Sequence, residues 1–252
     1  WDARSAQTID SWVCSGNAAP TLRISNDARV LALADSDATV HLIQRTRTGL
    51  WRDRPFPPPA SYDDSIGHVE AYLAEDGSRL ALWYYSRIGM HENRCAWRLY
   101  ETRTGKARDE DSYSASNCED LGVVLSPSGR YLADLADGIL IVYSGRSPTL
   151  RNTGRRTEHM AFSPRESLIA IEEAAAIRVE SIGARPRARA SERITLPRAA
   201  DGETVLSVSD ALPNRNPLLV TQDGNRVAIR DLPSGRTLYL VPFPEPVLDA
   251  AL

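Results

Sequence analysis

The chain has 252 residues, 42% of them hydrophobic, with 30 basic against 33 acidic side chains and a formal net charge of −3. So balanced a charge excludes a broad attractive field for nucleic acid or anionic lipid. No run approaches the ~20 apolar residues that a membrane span needs, and a chain of this length buries a large core as one all-β domain.

The opening seven residues, Trp1-Asp2-Ala3-Arg4-Ser5-Ala6-Gln7, recur in kind as Tyr100-Glu101-Thr102-Arg103-Thr104-Gly105-Lys106 and Arg230-Asp231-Leu232-Pro233-Ser234-Gly235-Arg236. Each copy is a long side chain, an acidic residue, a short polar turn, a small residue and a polar exit. An apolar or alternating strand precedes the two later copies. Repetition fixes architecture before anything else, and residues 1–12 therefore read as the tail of a preceding unit.

Between those motifs runs a second repeat. Taken in chain order, short apolar strands are expected over 21–24, 69–73, 122–125, 159–162 and 205–208. Each is followed by a turn, over 25–29, 75–79, 126–130, 163–167 and, more loosely, 210–217. Pro presets the first turn dihedral, while Asp, Asn and Gly tolerate the conformation that reverses the chain. A second apolar strand leaves each turn (30–33, 80–82, 131–133, 168–170, 218–220), and a third follows over 39–43, 96–100, 139–143, 176–179 and 226–229. A more polar fourth strand follows where the linker is long enough, as over 236–241. Residues 247–252 resemble the first strand of a new unit.

Three inner strands and a variable outer one make a four-stranded antiparallel sheet. Successive turn anchors at 29, 79, 130, 167 and 217 are spaced by about 37 to 51 residues, the period of β-propeller blades. The expected fold is an all-β propeller in a single domain, 1–252. Its blades are 1–20 (partial), 21–66, 67–120, 121–156, 157–202, 203–246 and 247–252 (partial), five of them whole. Free faces at the two ends call for further blades, six or seven in all.

The chain resembles divergent WD-repeat propellers. The best-matching unit runs from Gly67-His68 through Glu75-Asp76-Gly77-Ser78-Arg79-Leu80-Ala81 to the Tyr100-Glu101 motif, with Tyr-Glu where the family has Trp-Asp. Residues 223–236 are the other good match. Most units lack the Gly-His pair. The resemblance implies a platform that holds protein partners or other domains of its own polypeptide, without catalytic residues or cofactor. It is similar to the C-terminal propellers of bacterial STAND-type signalling proteins. The runner-up is the gating propeller of a prolyl-oligopeptidase-like serine hydrolase. A third reading is a metal-dependent sugar or lactone hydrolase with its residues in the funnel.

No nucleophile elbow, zinc helix, P-loop or dinucleotide fingerprint occurs, and His41, His68, His91 and His159 show no metal-pair spacing. His68 reads as structural, near a blade turn. Asp35-Ser36-Asp37, Asp76-Gly77 and residues 134–137 sit at strand-joining turns, where Asp bonds its own backbone, so no catalytic, cofactor or metal site is expected. Candidate partner-binding residues are Trp83, Tyr84, Tyr85, His91 and Arg94, on a long connection inside the second blade, because aromatics and arginine dominate contact hot spots. The stretch 50–59, Leu-Trp-Arg-Asp-Arg-Pro-Phe-Pro-Pro-Pro, reads as a stiff crossover between blades or a polyproline ligand. Arginine clusters at 151–156 and 185–189 lack the interleaved aromatics of a nucleic-acid platform. They read as solvated charge in outer loops.

Lys106 is the only lysine. Either GC-rich coding or an arginine-based recognition surface accounts for that. Three cysteines, Cys14, Cys95 and Cys118, lack metal-ligand spacing and read as reduced thiols of a cytoplasmic protein, with a Cys95–Cys118 bridge the alternative in a secreted chain.

Overall fold

The computed structural model describes residues 21–35, 38–57, 66–87, 93–115, 123–136, 139–143, 148–152, 159–173, 175–182, 194–198, 202–210 and 215–244. They form five four-stranded antiparallel sheets, each in simple sequence order. The first blade is β1 (Thr21–Ile24), β2 (Val30–Ala34), β3 (Val40–Arg45) and β4 (Trp51–Phe56). The second is β5 (Ile66–Leu73), β6 (Arg79–Arg87), β7 (Asn93–Glu101) and β8 (Lys106–Ala115), and the third β9 (Val123–Leu125), β10 (Leu132–Ala136), β11 (Ile139–Tyr143) and β12 (Pro148–Asn152). The fourth is β13 (Met160–Phe162), β14 (Leu168–Glu173), β15 (Ala176–Ser181) and β16 (Ile194–Pro197), and the fifth β17 (Thr204–Val208), β18 (Leu218–Asp223), β19 (Arg226–Asp231) and β20 (Thr237–Pro242). First strands of successive blades neighbour one another, β1 with β5, β5 with β9, β9 with β13 and β13 with β17. This is a β-propeller.

The core lies between blades, not within them. A sheet cannot bury a face alone, so each apolar face meets its neighbour's. One cluster joins Ala32, Val40 and Leu42 of the first blade to Ala71, Leu80 and Tyr84 of the second. The next sets Trp83 and Trp97 against Leu132 and Tyr143. Tyr131, Ala133 and Val142 meet Phe162 and Ile171, and Ala170, Ile177 and Val179 meet Val205 and Leu219. Ala32, Ala81, Ala133 and Ala170 occupy one position on β2, β6, β10 and β14, and all are fully buried. A methyl there lets successive sheets approach closely. Leu22 and Ile24 on β1, and Tyr239 and Val241 on β20, are exposed apolar side chains on the first and last blades.

The turn from first to second strand has one geometry in four blades. Its fourth residue donates its N–H to the first residue's carbonyl: Ala28 to Ser25, Gly77 to Ala74, Gly129 to Ser126 and Glu166 to Ser163. That fourth residue is left-handed every time, with φ of 54° at Ala28, 69° at Gly77, 68° at Gly129 and 60° at Glu166. Glycine alone adopts this freely.

Two sequence expectations are corrected. Residues Trp51–Phe56 are not a crossover but β4, paired with β3 from Val40↔Phe56 to Arg45↔Trp51. The segment after Trp83 is strand as well, because β6 and β7 pair without interruption from Arg79↔Glu101 to Arg87↔Asn93. His68 lies within β5, opposite Tyr85. The opening motif at Trp1 lies outside the described residues.

The turn geometry sets a prediction. Gly77→Ala meets Val30 Cγ2 at 2.8 Å and carries a positive φ, so it should cost about 1–2 kcal/mol or more. Ala28→Gly should instead be neutral or stabilising by up to about 1 kcal/mol. Thermal melts of the two variants check the opposite signs.

Candidate interaction surface

Hydrogen bonds between turns tie one end of the propeller together. The Asn26 N–H donates to the Glu75 carbonyl at 2.8 Å, and Asn26 Nδ2 to Glu75 Oε2 at 3.1 Å. Ser78 Oγ donates to the Ser128 carbonyl at 3.2 Å. The Ser128 N–H donates to Glu166 Oε1 at 2.7 Å. The last joint is the densest: Asp210 accepts from Ser163 Oγ at 2.7 Å, the Arg165 N–H at 2.6 Å and Ser167 Oγ at 2.5 Å. Burial would raise the Asp210 pKa, but these donors outweigh it and hold the carboxyl below its ordinary range.

The turn from third to fourth strand repeats too, and here the two copies of the opening motif take one shape. The Gly105 N–H donates to the Glu101 carbonyl and the Gly235 N–H to the Asp231 carbonyl, each at 2.8 Å. Thr104 Oγ1 caps Glu101 and Ser234 Oγ caps Asp231. Arg54 of the first blade reaches across to donate to the Thr102 carbonyl at 2.9 Å.

The fourth and fifth blades are also held by buried ions. Arg230 Nη1 contacts both oxygens of Glu203 at 3.0 and 3.2 Å, with Thr221 Oγ1 on the same carboxylate. Arg198 Nη2 lies 3.2 Å from Glu172 Oε1. Fully desolvated charges persist only when paired in this way, and removing one partner strands the other. Sequence reasoning missed Asp210 and the Glu203–Arg230 pair. Their partners lie in other strands and turns, and single residue types carry no pairing signal.

The turn-end face encloses a cavity of about 500 Å³ lined by Asn26, Asp27, Glu75, Asp76 and residues of the next two turns. Asp27 is held below its ordinary range by the Ser25 hydroxyl and the Arg29 N–H. Elsewhere His41 Nδ1 lies 2.8 Å from Asp53 Oδ2 at the surface of the first blade. Among the described residues no three His, Cys, Asp or Glu side chains group as metal ligands.

The five residues singled out from sequence separate. Trp83 is 3% exposed and Tyr84 fully buried. They point to opposite faces of β6, Trp83 towards the third blade and Tyr84 towards the first. Tyr85 is half-buried and stacks along its strand on Trp83, ring centroids 6.5 Å apart. Arg94 is half-buried opposite Ser86, on the other face of the β6–β7 hairpin from Tyr85. His91 lies outside the described residues. Burial thus makes Trp83 and Tyr84 core, because alternation along a strand packed on both faces hides both side chains. Cys95, opposite Tyr85, is disulfide-bonded. That corrects the expectation of a reduced thiol; Cys14 and Cys118 lie outside the described residues.

No family model and no curated protein matches the chain. Many solved structures do match. KlAtg21, solved in complex with the coiled coil of AgAtg16, aligns over 88% of this chain and 70% of its own with a TM-score of 0.58 at 13% identity. Porphyromonas gingivalis dipeptidyl peptidase 4 aligns over 86% of this chain but 39% of its own, TM-score 0.54, 12% identical. The dihydro-heme d1 dehydrogenase NirN, in complex with DHE, aligns over 90% of this chain and 47% of its own, TM-score 0.54, 14% identical. At such identities the likeness is one of fold. That fold is the β-propeller.

Two predictions follow from this geometry. Asp210→Ala should destabilise by about 2–3 kcal/mol near neutral pH, since it strands three donors. Because the folded carboxyl is the stronger acid, that contribution is complete above the ordinary carboxylate range and vanishes as pH falls below about 4. Denaturation at several pH values should show variant and parent converging in acid. Separately, Trp83→Ala should cost about 3–5 kcal/mol and Arg94→Ala less than about 1 kcal/mol; equal effects in melts would contradict the burial assignment.

Proposed function

We propose that the chain is a non-catalytic interaction propeller within a larger multidomain protein, of the bacterial signalling or defence type. The observation that carries this reading is mechanical. Blade cores and bonded turns fix a rigid frame, and on it the β6–β7 hairpin extends strand-paired as far as Arg87↔Asn93. A rigid frame lowers the ordering cost of binding. Tyr85, His91 and Arg94 are proposed as the partner contacts, with Trp83 and Tyr84 as the packing that holds the hairpin. KlAtg21, of like fold, was solved with a coiled-coil partner, which supports a protein ligand. The exposed apolar side chains on β1 and β20 support further blades or domains covering those faces. The Cys95 disulfide supports an oxidising compartment, against the cytoplasm expected from sequence.

A second reading, the gating propeller of a serine hydrolase, is favoured by the match to 39% of a dipeptidyl peptidase. Crosslinking of the intact polypeptide with its partners distinguishes the two. Interaction predicts crosslinks at the hairpin tip and at least a tenfold loss of partner capture in Tyr85→Ala/Arg94→Ala, with the parent's β-sheet circular dichroism retained. Undiminished capture would overturn the assignment of those residues. Labelling of the intact polypeptide by a fluorophosphonate would favour the hydrolase reading.

A further inference from the structure

A second cleft lies at the turn end, away from the hairpin tip. It separates the outer strands of the second blade from the third blade's turn and encloses about 480 Å³. Three guanidinium groups line it, those of Arg79, Arg108 and Arg130, together with Leu99, Glu101 and Asp109. Arg108 is already spent on Glu101, at 3.0 Å. Arg79 is not: its Nη1 is buried and lacks a hydrogen-bond partner among the described residues. Arg130 is exposed and rests 5.2 Å above the Tyr131 ring.

The position of Arg79 is the telling part. In four blades the residue after the turn gives its carbonyl to the turn's first N–H, and those residues are Val30, Arg79, Tyr131 and Leu168. Three are apolar side chains. Packing at this position therefore asks for no charge, and a half-buried guanidinium with an unused donor lowers stability. Its stem is accommodated only because the facing residue is Gly129, where a Cβ would come within 2.3 Å of Arg79 Cβ and Cγ. Of these four blades the second is thus the one that holds a cation at this position.

We propose that this cleft binds a carboxylate of an acidic peptide segment on a protein partner. The Arg79 and Arg130 guanidinium groups supply the donors, and Leu99 supplies an apolar floor for a neighbouring side chain. Glu101 and Asp109 leave the lining with a formal charge of only one positive unit, which suits a singly charged carboxylate better than a phosphate dianion. The proposal rests on the interaction reading but needs neither the hairpin nor an identified partner.

The test measures fluorescence anisotropy of a labelled acidic peptide containing leucine, its amide counterpart with Gln and Asn, and competition by inorganic phosphate. Variants are Arg79→Leu, Arg130→Gln and Gly129→Ala. The acidic peptide should bind in a salt-sensitive manner and its amide counterpart should not. Arg79→Leu should weaken binding about tenfold or more while the melting temperature holds or rises, as its apolar equivalents imply. Arg130→Gln should weaken it less, since that group remains solvated. No binding by the parent chain, equal binding by Arg79→Leu, or phosphate competing as strongly as the peptide would each overturn the proposal. A fall in melting temperature with Arg79→Leu would overturn it too, by making the arginine structural. Partner capture through Tyr85 and Arg94 is scored separately, so the failure of either site leaves the other's result readable.

Discussion

Everything in this protein depends on one sheet lying flat against the next. A four-stranded antiparallel sheet of about twenty residues has two faces and no interior, so its stability is borrowed from its neighbours. The four interblade clusters are the currency of that arrangement, and the buried alanines at the shared position on β2, β6, β10 and β14 set how closely the sheets approach. A larger side chain there would wedge two blades apart and disturb the turns that bond beneath them.

The joints are not equivalent. Between the first and second blades the apolar cluster, from Ala32 and Leu42 to Leu80 and Tyr84, is accompanied by the exposed Asn26–Glu75 bonds and by Arg54 on the Thr102 carbonyl. Between the fourth and fifth, the apolar cluster is accompanied by Asp210 with its serine donors and by the Glu203–Arg230 pair. Polar locks tolerate little displacement, because each depends on distances near 3 Å and on exclusion of water. Apolar contact is more forgiving. The locks between the fourth and fifth blades are buried, whereas the Asn26–Glu75 bond between the first two is exposed.

A frame so constrained leaves function to what projects from it. The second blade departs from the repeat twice, once in the length of its β6–β7 hairpin and once in placing Arg79 where other blades carry Val30, Tyr131 and Leu168. Both departures serve no packing requirement visible in the other blades. Sites on repeat proteins are found by such exceptions, since the shared positions are already explained by the fold.

Strand periodicity, the turn residues and the acidic-turn motif at Glu101 and Asp231 were all legible along the chain. They are local properties: alternation, a left-handed turn position and a side chain bonding its own turn are set within a few residues. β4 was misjudged because proline at 55 and 57–59 reads as a linker, yet an outer strand has a free edge that dispenses with one residue's donor. Trp83 and Tyr84, candidate contacts by residue type, are buried between blades for a related reason. Aromatics on a binding loop and aromatics on a strand covered from both sides look the same in sequence, and only the neighbouring blades distinguish them. The sequence alone determined that the chain is a repeated strand-and-turn unit stacked into an all-β propeller. Which side chains are hidden, which carboxylate finds which donor, and which arginine is left with an unused hydrogen were decided by tertiary structure, because each depends on segments tens of residues apart meeting within about 3 Å.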